Sequence, residues 1–170
     1  MSDGVQIMLE GEQAALQALA HAHDALEYPF EMYESIGVAM VESTLRRFDQ
    51  GESPDGNPWP VSYRAQFEGG QTLIDSNALG SSITHIASQD GVEIGTNLHY
   101  AATHQFGATI TPKSAKALHF NIPGIGHVTS QSVTIPARPF LGLSDSDEAE
   151  IEAIAHDFIA AAFGGVGNGN

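Results

Sequence analysis

Residues 135–145 read Ile-Pro-Ala-Arg-Pro-Phe-Leu-Gly-Leu-Ser-Asp, and the two prolines in this run limit the fold more than any other feature. Each ring locks φ and drives the residue before it away from the helical region. Pro136 and Pro139 therefore fix a rigid extended segment, with Arg138 held at a defined place inside it. Arg138 is one of only six Lys and Arg residues against 21 Asp and Glu. A cation so outnumbered and so fixed is expected to meet a carboxylate or a line of carbonyl oxygens.

Around that segment the chain alternates between helical and extended patterns. Val5 to Leu9 alternates weakly and suits a short strand or the start of a helix. From Gly11 to Leu26 the run is rich in alanine, with Leu16, Leu19, His23 and Leu26 at helical spacing. Pro29 suits the first turn of a second helix whose apolar face is Tyr33, Ile36, Met40, Val41, Thr44 and Phe48. Arg46 and Arg47 fall in its last turn, where the negative end of the macrodipole accounts for both.

The loop from Gly51 to Pro60 carries turn chemistry throughout, with Pro54-Asp55-Gly56 reading as a type I turn. Trp59, the only tryptophan, sits between two prolines and either caps the core from this loop or anchors an interface. Leu73, Ser76, Leu79 and Ile83 suggest a short third helix running into a strand. Ile83 to Ser88 and Val92 to Gly95 flank an Asp90-Gly91 turn, a hairpin signal. Asn97 to Phe106 suits a helix closed by Gly107.

Thr109–Thr111, Leu118–Ile122 and Val128–Ile135 are strand-like, and the interrupting prolines and glycines suggest a long arm or hairpin. A last helix starts at Asp145, read as an N-cap with Glu148 completing a capping box. Its apolar stripe is Ile151, Ile154, Ala155, Phe158, Ile159 and Ala162. Together these elements predict an α+β fold: a central antiparallel β-sheet packed by two N-terminal helices and a C-terminal helix, with a long β-arm or hairpin. The length suits one domain, residues 1–165, followed by a flexible tail, 166–170.

Charge is distributed in blocks. Met1 to Glu93 holds 15 acidic and 3 basic residues, and Asp145 to Asn170 holds 6 acidic and none basic. Between Ile94 and Ser144 there is no carboxylate, and Lys113, Lys116 and Arg138 all fall there. The central segment can lie against an acidic flank of another copy, a basis for head-to-tail association. Equally, the blocks can neutralise each other within one fold. The formal net charge of −15 argues against tight nucleic-acid binding, which needs Lys and Arg clusters.

The remaining composition excludes several chemistries. With no cysteine there is neither a disulfide framework nor a thiolate metal site. No secretory signal is expected at the acidic start, and no apolar run reaches the roughly 20 residues of a membrane helix. A soluble protein made in the cytoplasm is expected, with no membrane partner. His21 and His23 fall on nearly opposite faces of a predicted helix, and His99 and His104 sit in no metal-binding pattern. There is no Gly-x-Ser-x-Gly elbow, and the late glycines follow a helix where a phosphate loop would precede one. Neither an enzyme nor a cofactor is expected.

Several pieces, in order, resemble the phage virion morphogenesis family, the tail completion proteins of Mu-like phages. They are Leu45-Arg46-Arg47-Phe48, Pro54-Asp55-Gly56-Asn57-Pro58-Trp59, Leu73 to Ile83, Val92 to Asn97, Tyr100 to Gly107, and Ile135 to Asp145. Asn77 stands where a glycine is expected in that family. The resemblance implies a structural virion protein of the head–tail junction, a homo-oligomeric ring expected to be a hexamer. It would lie between the connector or head-completion proteins and the tail terminator or tail tube proteins. DNA would pass through without specific binding, since an anionic lumen repels phosphates.

The subunit-interface candidates are Arg138, Phe140, Phe106, His104, Lys113, Lys116 and Trp59. Against this, Pro139 and Phe140 could simply dock the last helix on its own core. Two other classes are weighed: a metal-dependent hydrolase using histidines, and an assembly chaperone absent from the finished particle.

Overall fold

A computed structural model describes residues 12–164. The strand or helix start expected at Val5–Leu9 and the tail expected at 166–170 lie outside the described residues. Two long helices open the described chain: α1 (Glu12–Glu27) and α2 (Phe30–Gln50). After them come α3 (Tyr63–Glu68), α4 (Ala78–Ser81), β1 (Thr84–Ala87) and β2 (Val92–Gly95). The chain continues through α5 (Ala101–Phe106), β3 (Ala108–Ile110), β4 (Leu118–Ile122), β5 (Gly126–Ser130) and β6 (Val133–Ile135), and closes with α6 (Asp145–Gly164).

The α+β architecture is as the pattern predicts, with the β part divided into three antiparallel ribbons, β1–β2, β3–β6 and β4–β5. Pro112, Pro123 and Pro136 each remove a ladder donor, and Gly124 and Gly126 take positive φ at the β4–β5 turn; pieces this interrupted cannot share one continuous ladder. The β4–β5 ribbon is the predicted hairpin, pairing Leu118 with Ser130 and Ile122 with Gly126. Its turn is covered: a Cβ on Gly124 would lie 2.3 Å from the Phe67 ring of α3.

α2 is the hub. Its Ile36, Ala39 and Met40 are buried and pack with Val92, Ile94, Ile151 and Ile154, so one helix face meets both the β1–β2 ribbon and α6. The approach of the ribbon needs Gly37, where a Cβ would lie 2.3 Å from His85. His85 also places Nε2 3.1 Å from Glu34. Two turns further on, Phe48 joins Trp59, Leu79, Ile83, Ala101 and Phe140 in the main core. α2 then stops at Gly51, whose φ of 72° is the left-handed cap and whose N–H donates to Arg47 O.

Some element bounds differ from expectation. Of the helix expected over residues 73–83 only the single turn α4 forms, because Leu73 and Asn77 take positive φ, 64° and 59°. The helix expected over 97–106 starts only at Ala101, since Leu98 N–H is held by Thr96 Oγ1 instead. The strand expected over 128–135 breaks at Ser132, whose N–H and C=O both bond Ser130 Oγ. α3 was not anticipated; Ser62 caps it by accepting from Ala65 N–H at 3.2 Å.

Candidate functional site

The proline-braced run, residues 136–144, crosses the core as an extended strut in no sheet. Its backbone polar groups have no ladder, and buried amides left unpaired are costly. Side chains and carbonyls from elsewhere supply the partners. Arg138 N–H donates to His104 O at 2.7 Å. Trp59 Nε1 donates to Pro139 O at 2.8 Å. Gln105 Oε1 accepts from both Phe140 N–H and Leu141 N–H at 3.0 Å, and Gln105 Nε2 donates to Leu141 O at 2.8 Å. Arg47 Nη1 donates to Phe140 O and Gly142 O at 3.1 and 2.9 Å.

The far side of Arg47 meets a buried acid. Its Nη2 pairs with Asp147, which is fully buried, and Asp147 also accepts from Ser43 Oγ. Ser144 N–H and Oγ both donate to Asp147 Oδ2, at 2.8 and 2.7 Å. Burial alone would push the Asp147 carboxyl up. The hydrogen bonds from Ser43 and Ser144, together with Arg47, outweigh it and hold the carboxyl below its usual value.

Two expectations are corrected here. The capping box of α6 is formed by Ser144 and Asp147, one residue earlier than Asp145 and Glu148, because Asp147 N–H donates to Ser144 Oγ while the carboxylate returns to Ser144 N–H. Arg47 is more than a macrodipole partner, since it joins α2, the strut and α6 in one buried node.

The interface candidates fall into two groups. Phe140, at 0% exposure, and Trp59 are spent inside this chain, with the Phe48 ring 5.4 Å from Phe140 and 5.5 Å from Trp59. Phe106 is 78% exposed, and Lys113 and Lys116 are exposed on the loop before β4. Arg138 is buried and meets carbonyl rather than carboxylate oxygen: its Nε donates to Pro60 O at 2.7 Å. Gln105, Arg47, Ser43 and Asp147 complete the clamp and were not singled out as site residues. Of these, Gln105 inside the Tyr100–Gly107 piece and Arg47 inside the Leu45–Phe48 piece carried a sequence signal.

His104 and Arg138 also border a cleft of 330 Å³ with Arg64, Ser76 and Tyr100. Burial, and then the Arg138 charge, hold the His104 imidazole below its usual pKa. Among the described residues, one group of potential metal ligands lies close together: His23, Asp24 and Glu27, all exposed on α1. No helix among the described residues is long and apolar enough to cross a membrane.

The molecule is a small α+β domain whose buried polar groups clamp an extended strut. Residues 10–160 match the phage virion morphogenesis family, and the chain belongs to it. It is 29% identical over 154 residues to "Mu-like prophage FluMu G protein 2" of Haemophilus influenzae, covering 91% of this chain and 95% of that protein. It is also 29% identical over 138 residues to "Putative capsid assembly protein G" of Escherichia phage Mu, covering 75% of this chain and 77% of that protein. No solved structure matches the chain. The protein therefore has a role in phage virion assembly.

Proposed function

We propose that the protein acts at the head–tail junction of the particle, as a homo-oligomeric ring that joins the connector to the tail and leaves a passage for DNA. The carrying observation is a charge mismatch within one copy. Among the described residues, Lys113, Lys116 and Arg138 pair with no carboxylate. Meanwhile Asp145, Glu148, Glu150 and Glu152 stand exposed on α6. Cations without carboxylate partners in the central segment and exposed carboxylates on α6 favour head-to-tail contact between copies, which closes into a ring where the rotation allows. The capsid-assembly name of the phage Mu relative supports a place near the head.

Mass spectrometry of purified phage particles tests this reading. The chain is expected as a stoichiometric multi-copy component. Its absence from finished particles would favour an assembly chaperone and overturn the proposal. Elemental analysis of the purified chain checks the other class, since a hydrolase built on histidines would retain a metal ion.

A further inference from the structure

We propose that the cleft beside Arg138 is a socket for carboxylate side chains of α6 from a second copy of this chain. The inference rests on the ring reading and names the contact that would build it. Arg138 is 6% exposed and lines the cleft. Its Nε is used on Pro60 O, and neither Nη donates to any described protein atom. A guanidinium fork left with only the solvent of the cleft gains a charge-assisted pair when an anion takes its place. A carboxylate is the natural complement, because its two oxygens match the guanidinium fork.

The other cation of the cleft is already engaged. Arg64 donates to the carbonyls of Gly69, Gln71 and Ile74, and Asp75, 81% exposed, lies 3.7 Å from its Nε. Arg138 is therefore the group that lacks a counter-charge. Beside it, Tyr100 and Ser76 offer hydroxyl donors. The walls are thus rich in donors and hold one carboxylate, at the rim.

Charge favours α6 as the occupant, since it is the most one-signed of the described elements. The chain carries 21 acids against six Lys and Arg, and α6 has no Lys or Arg. Its exposed Glu148, Glu150 and Glu152 pair with no described cation. The Arg47–Asp147 node fixes the start of α6 to α2 and the strut, so the helix presents these acids from a rigid base. Each copy then carries both a plug and a socket, the requirement for a head-to-tail ring.

Sedimentation velocity of the full chain at low ionic strength tests the contact. Arg138→Gln keeps a donor for Pro60 O while removing the charge. The triple variant Glu148→Lys, Glu150→Lys, Glu152→Lys alters only exposed side chains of α6. Each is expected to weaken self-association at least about tenfold, in line with the cost of truncating a buried interfacial charge pair. Mixed one to one, the two variants should form a dimer, because the intact socket of one meets the intact α6 of the other. Circular dichroism reports folding, and should Arg138→Gln unfold, the α6 variant alone decides. Unchanged association in the variants, with the wild type associating, overturns the socket and leaves the ring reading standing. A wild-type chain that stays monomeric at every concentration overturns both.

Discussion

Asp147 contributes a specific acid-sensitive part of the stability. Its folded-state pKa lies below the ordinary value, so the unfolded chain takes up a proton first as pH falls. The stability that this carboxylate contributes is complete above the unfolded pKa of about 3.9, and it is lost as pH falls from there through the folded value. Urea titrations at a series of pH values should show this loss, and Asp147→Asn should remove that part of the slope. Arg47→Met leaves the acid buried without its partner and should cost about 3–5 kcal/mol at neutral pH, read from the shift in urea midpoint. Neither residue was legible as a pair. A last-turn arginine is already explained by the helix end, and its partner lies 100 residues away. The run Ser144-Asp145-Ser146-Asp147-Glu148 allows two capping registers one residue apart, and only the distant guanidinium selects Asp147.

Elements with strong periodicity were legible, and those shaped by distant contacts were not. α1, α2, α6 and the Asp90-Gly91 hairpin follow from apolar spacing and turn chemistry alone. α4 is shorter than its pattern because Arg64 holds the carbonyls of Gly69, Gln71 and Ile74 in an irregular loop, which no local propensity reports. The strut itself was legible as extended from its prolines, whereas its clamp by Gln105, Trp59 and Arg47 required the fold. Gly107 shows how closely the pieces fit. Its φ is +71°, and a Cβ there would lie 2.9 Å from Ala137 N and 3.0 Å from Ile135 O. Gly51 has nearly the same φ, +72°, but a ψ of 35° against 164° at Gly107, and nothing lies within 4 Å of a Cβ there. Gly51→Ala should therefore cost about 1–2 kcal/mol for the left-handed backbone alone, and Gly107→Ala clearly more by thermal or urea denaturation. Equal losses would mean that neither the glycine-only backbone of Gly107 nor its close approach to the strut carries weight.

At the scale of the whole molecule, the block distribution of charge was plain in the sequence, while its fate was not: exchange within one fold and exchange between copies were equally open. The fold leaves Lys113, Lys116 and Arg138 without carboxylate partners among the described residues, which favours exchange between copies. Such contacts are screened by salt, over about 10 Å at 0.1 M ionic strength and about 3 Å at 1 M. The sedimentation coefficient of the purified chain should accordingly fall as salt rises. Family membership places the protein in virion assembly, and the strut, cleft and acidic helix describe how copies of it would join. Cryo-electron microscopy of the neck in intact phage particles addresses that directly. The account predicts a closed ring of this chain at the head–tail junction, with Arg138 of each copy facing the acidic surface of α6 on the next. A neck without the chain, or copies there that do not touch one another, would contradict it.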